Sequence, residues 1–145
     1  MTKLTHSDLI LIGSRWLKTV KKMPVVATEL TVSGSREMPD VLGFRSTLSI
    51  LLEAKTSRGD FLRDKHKPER NGTLVGLGNY RAYICESGVI EAEDLPPRWG
   101  LLHVINKQVC EIVFPRGNMF VDDSLWQQSD MNAERSFLYS LLIRK

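Results

Sequence analysis

Residues 38–57, MPDVLGFRSTLSILLEAKTS, constrain this chain more than any other stretch. An almost wholly apolar run closes there on Glu53 and Lys55, and Asp40 stands at its opening. Val41, Leu42 and Phe44 suit one β-strand, Arg45-Ser46-Thr47 a turn, and Leu48, Ile50, Leu51 and Leu52 a second strand. Successive side chains of a strand alternate faces, so Glu53 and Lys55 project to the same side. An antiparallel hairpin sets Asp40 opposite the end of the second strand. Two carboxylates and an ammonium then converge at one edge of an apolar sheet. Closely spaced carboxylates repel unless a cation lies between them, so the pattern points to a cation site.

The flanking sequence predicts helices on either side of such a sheet. Residues 6–22 carry Leu9, Ile12, Trp16 and Val20 on one helical stripe, widened by Leu17. Thr5 and Asp8 suit a capping box, and Pro24 stops the helix. VVATELTVSG reads as a strand interrupted by Glu29, an acid that faces solvent or joins the site just downstream. A second helix starts at Ser57, with Asp60 at the third position and Phe61 and Leu62 turned inward. It carries Arg58, Arg63, Lys65, Lys67 and Arg70 among Asp60, Asp64 and Glu69. Mixed charge of this kind suits a solvated face; its place beside the acids also makes the five bases candidates for phosphate contact.

The glycines of NGTLVGLGN match no phosphate-binding motif, and a mobile loop beside the site is expected. Strands follow at RAYIC, GLLHVI and VCEIVF, with turns at Ser87-Gly88 and Asn106-Lys107. Residues 115–128 read as irregular, with Trp126 over the core. The last residues place Phe137, Leu138, Leu141 and Leu142 on a packing stripe of a closing helix. The order helix, strands, helix, strands, helix gives a mixed α/β sheet flanked by helices. At 145 residues, without repeat or linker, one domain over 1–145 is expected.

Composition narrows the function classes. Hydrophobic residues at 42% and charged residues at 26% suit a folded globular chain rather than a disordered one. No apolar run approaches the roughly 20 residues of a membrane span, and no leader is evident, so a cytoplasmic location and no membrane partner are expected. The net charge of +3 permits nucleic acid as a partner without requiring it. Cys85 and Cys110 fit free thiols, and His6, His66 and His103 lie outside any ligand spacing.

Mg²⁺ takes hard oxygen ligands and keeps several waters, so one or two carboxylates plus a substrate phosphate suffice. Asp40 and Glu53, with the backbone carbonyl of Ala54, are the expected metal ligands, and Mn²⁺ is the expected substitute. Lys55 on the same face orients the attacking water or neutralises developing charge, and Glu29 supports the site. Those roles together describe phosphodiester hydrolysis.

The arrangement Pro39-Asp40 … Glu53-Ala54-Lys55 resembles the PD-(D/E)XK nuclease superfamily, whose fold is restriction-endonuclease-like. More narrowly it resembles the MmcB-like DNA-repair group, through TELTVSGSREMPDVLGF, LLEAKTSRGDFLRDKHKPE, YRAYI, LPPRWGLLHV and NAERSFLYSLL. The resemblance implies a Mg²⁺-dependent deoxyribonuclease, endo- or exonucleolytic, acting in repair, recombination or restriction-like processing. It implies Asp40 and Glu53 as metal ligands, Lys55 as the catalytic lysine and Glu29 as the supporting acid. It also places Ser57, Asp60 and Asp64 at family positions. A homodimer, common in this fold, is a further expectation. Two other readings of the same residues stay open. One is a nucleic-acid-binding module of this fold without activity; the other is a partner-binding protein whose acids and lysine form surface ion pairs.

Overall fold

The computed structural model describes residues 2–117 and 124–144. Its centre is a six-stranded sheet whose order follows the sequence: β1 (Val25–Thr28), β2 (Val41–Phe44), β3 (Ser49–Ala54), β4 (Tyr80–Glu86), β5 (Trp99–Ile105) and β6 (Gln108–Val113). β3, β4 and β5 run parallel, while β1–β2–β3 and β5–β6 pair antiparallel. Helices α1 (His6–Thr19), α2 (Arg58–Asp64) and α3 (Met131–Ile143) flank it. This is the α/β, mixed-sheet architecture expected of a restriction-endonuclease-like chain. Among the described residues no helix is long and apolar enough to cross a membrane.

Strand alternation assigns the two cores. Val41, Ile50, Leu52, Ala54, Ala82, Ile84, Leu102 and Val104 face α1, meeting Leu9, Trp16 and Leu17. Leu42, Phe44, Leu51, Tyr83, Trp99 and Leu101 face the other way, under Phe61 of α2 and Phe137 of α3. Parallel strands covered on both faces are expected to be apolar throughout, and every residue of β3 is buried.

Several boundaries depart from the sequence expectation. α1 ends at Thr19 rather than residue 22, because Val20 is the C-cap and Lys22 turns left-handed at φ 58° ahead of Pro24. Val20, expected on the buried stripe, is therefore 55% exposed. The long strand expected over VVATELTVSG stops at Thr28, since Glu29 adopts φ 48° and turns the chain out of the sheet. Leu62, Leu138 and Leu142, expected to pack inward, are exposed. α2 and α3 each bury a narrower stripe, through Phe61 and through Ala133 and Phe137.

The glycine-rich connection is not a mobile loop throughout. Residues 76–79 are buried. Gly78 sits at φ +86°, where an added Cβ would lie 2.8 Å from Leu51 Cβ. Glu134 accepts the Gly78 N–H at 2.8 Å and the Ser49 hydroxyl at 2.7 Å, locking the segment to β3 and α3. Trp126 packs edge-on against Tyr80, 5.4 Å between ring centres, as expected of a cover on the core. Of the stretch read as irregular, residues 118–123 lie outside the described residues. Asn106 and Lys107 both take positive φ, 52° and 62°, which suits a two-residue hairpin turn between β5 and β6.

Candidate active site

Val41 pairs with Leu52 across β2 and β3, so the next residues outward, Asp40 and Glu53, meet at the strand ends. Three main-chain hydrogen bonds fix them. The Asp40 N–H donates to Glu53 Oε2 at 3.0 Å, and the Ala54 N–H donates to Asp40 Oδ2 at 2.8 Å. The Glu29 N–H donates to the Asp40 carbonyl at 3.0 Å. Both acids are buried, Glu53 at 6% exposure. His6 Nε2, at the start of α1, lies 3.3 Å from Asp40 Oδ1.

Beneath Glu53 lies a buried guanidinium. Arg70 Nη2 donates to Glu53 Oε1 at 2.9 Å, Nη1 to Glu37 at 3.0 Å and Nε to Asp64 Oδ2 at 2.7 Å. Its plane sits 4.7 Å from the Trp99 ring centre, and Trp99 in turn stacks on Tyr83. Asp64, 2% exposed, is the hub of the site. It receives Arg70, the Tyr83 hydroxyl at 2.7 Å, Lys55 Nζ at 3.2 Å and Lys67 Nζ at 3.1 Å. Glu53 and Lys55 thus point to the same side, as alternation requires, one joining the hub through Arg70 and the other directly.

The electrostatics follow from burial and from these partners. Loss of solvent pushes the Glu53 carboxyl up to about 8, and the Asp40 charge adds to this; the Arg70 guanidinium and the Asp40 N–H pull the other way but less strongly. Burial also opposes ionisation of Asp64. There, however, the hydrogen bond and charge of Arg70, the Tyr83 hydroxyl and Lys55 prevail, holding the carboxyl well below the usual carboxylate range. Burial, then the neighbouring Asp64 charge, raises the Tyr83 phenol.

Of the residues expected from sequence, Asp40, Glu53, Ala54 and Lys55 come together. Glu29 stands at the margin: it is exposed, and it touches Asp40 through its main chain. The five bases expected to face phosphate behave differently from that reading. Arg70 is buried among carboxylates and cannot reach a ligand phosphate. Arg58 forms a bidentate pair with Asp94 at 2.8 Å, Arg63 pairs with Asp60, and Lys67 reaches Asp64. Lys65 lies over the Phe61 ring. Glu37, Arg70, Tyr83 and His6 were not singled out from sequence as members of the acid site. They reach it from a loop, from beyond α2, from β4 and from α1, with no local pattern to mark them. Asp64 carried one signal, its place in the resemblance.

Two carboxylates and a main-chain oxygen are hard donors of the kind that fit Mg²⁺ or Mn²⁺. The fit is sparse. Among the described residues no group of three or more His, Cys, Asp or Glu could hold a metal ion, so water and substrate oxygens would complete the shell.

The chain matches no protein-family model and no curated protein. Its structure is similar to the SPO1766 protein of unknown function from Silicibacter pomeroyi, at 18% identity and a TM-score of 0.64, over 99% of this chain and 90% of that one. At that identity the likeness shows the fold alone.

Proposed function

We propose that this chain is a metal-dependent nuclease of the PD-(D/E)XK kind that hydrolyses phosphodiester bonds in DNA. The observation that supports it is the stitched pair of Asp40 and Glu53 at the β2–β3 edge, with Ala54 and Lys55 following in the same strand. A divalent cation held by Asp40, Glu53 and the Ala54 carbonyl would neutralise charge on the scissile phosphate and acidify a water. The protein's own part is positional. The Ala54 N–H fixes the Asp40 carboxylate, Arg70 fixes that of Glu53, and Asp64 holds the Lys55 ammonium two residues along from Glu53. Lys55 then supplies a positive charge on that same side, where the attacking water must be oriented and negative charge develops.

One observation favours a second reading. Arg70 already gives Glu53 a cationic partner, and Asp64 already engages Lys55, so the site is internally compensated. A nucleic-acid-binding module without activity has this character. Cleavage of duplex, single-stranded and branched DNA with Mg²⁺ or Mn²⁺ separates the two. The nuclease reading expects metal-dependent products from wild type, reduced about a hundredfold or more in Lys55→Ala and Asp40→Asn. Absence of products from every substrate with both metals sinks it. DNA binding that persists in that case leaves the inactive module.

A further inference from the structure

We infer that the cleft between α1 and the β5–β6 hairpin is the strand-binding track, where a single strand of nucleic acid lays its phosphates on Lys3, Arg15 and Lys107. This rests on the proposed nuclease function and assigns its substrate grip to a surface other than α2. The cleft encloses about 1040 Å³. It takes a few nucleotides of one strand and is too small for a duplex. Leu11 and Ile105, 49% and 43% exposed, give its lining an apolar part.

The charge balance distinguishes it from α2. Lys3, Arg15 and Lys107 are exposed, and none makes an ion pair among the described residues. The carboxylates of the cleft, Asp8 and Glu86, accept from main-chain N–H groups, of Thr5 at 2.9 Å and Leu4 at 2.7 Å, and keep their charge. The Asp8 carboxyl is held low chiefly by Thr5 and also by the charge of Lys107, so three cations against two carboxylates leave the cleft with one positive charge in excess. On α2 the cations Arg58 and Arg63 are spent on Asp94 and Asp60. Phosphate binding releases counterions only from cations that are not already paired, and apolar side chains between such cations give bases a surface to lie on.

Position completes the argument. Parallel strands open ligand crevices at their carboxyl ends. Ala54, Glu86 and Ile105 end the three parallel strands at one end of the sheet, with β3 and β5 two strand spacings apart, ~10 Å. The cleft lies on the α1 side of the sheet there and the acids on the other side. His6, which falls in sequence between the cleft residues Leu4 and Asp8, lies 3.3 Å from Asp40. A strand leaving the cleft would have to round the carboxyl ends of β3 and β4 to reach Asp40 and Lys55.

The test is fluorescence anisotropy of a short labelled single-stranded DNA with the full chain in EDTA, over a salt series. Wild type is compared with Lys3→Gln/Arg15→Gln/Lys107→Gln, with each single substitution, and with Arg58→Gln/Arg63→Gln. The expected result is a loss of at least about tenfold in the triple variant and a fall of about 2 in the salt slope, the amount for three phosphates on a single strand. Each single substitution at these exposed positions gives a proportionate part. Unchanged binding by the triple variant overturns the inference, as does failure of wild type to bind the strand or a slope carried by Arg58 and Arg63 instead. Metal-dependent cleavage with an unaffected triple variant removes the track and keeps the nuclease. A lost slope without cleavage by wild type under any metal keeps the track and removes the nuclease.

Discussion

Replacing Asp64 by asparagine tests whether the buried hub holds the candidate site together. The substitution is nearly isosteric, so the side chain's volume is preserved while the charge is lost. Four donors now aim at this carboxylate: Arg70, Tyr83, Lys55 and Lys67. An amide accepts at one oxygen only and turns its NH₂ toward a group that is itself a donor. Arg70 keeps Glu53 and Glu37, which limits the damage, but Lys55 loses its partner. Breaking a buried charge pair from one side costs about 3–5 kcal/mol. For a chain of this length that corresponds to a fall in Tm of roughly 10–15 °C. The pH dependence carries a definite sign. The folded carboxyl titrates below its ordinary 3.8, so its stabilisation is present above that pH and is lost as pH falls through the lower folded value. Calorimetry at pH 7 should show the full gap between wild type and Asp64→Asn, and at about pH 3 a narrower one. A fall of less than about 3 °C at pH 7, or a gap that fails to narrow in acid, refutes the hub as described.

Gly78→Ala meets both a left-handed backbone and a 2.8 Å approach to Leu51, and should destabilise by about 2 kcal/mol or more in urea unfolding; a neutral result contradicts the locked segment. Arg58→Ala removes an exposed pair with Asp94 and should leave the midpoint of urea unfolding essentially unchanged; a clear loss of stability would contradict a solvent-screened pair. The Cys85 thiol is buried and pushed up to about 11, chiefly by loss of solvent, whereas Cys110 is half-buried. Iodoacetamide on the folded chain at pH 8 should therefore modify Cys110 well before Cys85. Equal rates, read by peptide mass, would contradict the burial.

The hairpin and its facing acids were legible because they depend on short-range rules. Alternation with period two and a brief turn determine that Asp40 meets Glu53, and nothing distant can change that without flipping the whole strand. Arg70 was not legible. In sequence it closes a run of mixed charge and reads as one more solvated base. Its carboxylate partners Glu53 and Glu37 lie 17 and 33 residues away, and only the fold brings them to it. His6 is similar, since the packing of α1 across the sheet decides what its first residue touches. Leu138 and Leu142 misled in the opposite sense. A helical stripe shows which residues share a face, but not how much of that face the sheet covers.

Helix α1 carries one further consequence. The same rigid rod bears His6 against Asp40 at its start and Arg15 in the cleft nine residues on, so the two cannot move independently. At 1.5 Å per residue the separation along the helix axis is roughly 13 Å. If both the proposed track and the proposed nuclease hold, a strand gripped at Arg15 would present to the acids a bond at a set distance from its anchored phosphate, and one helix would set the product length.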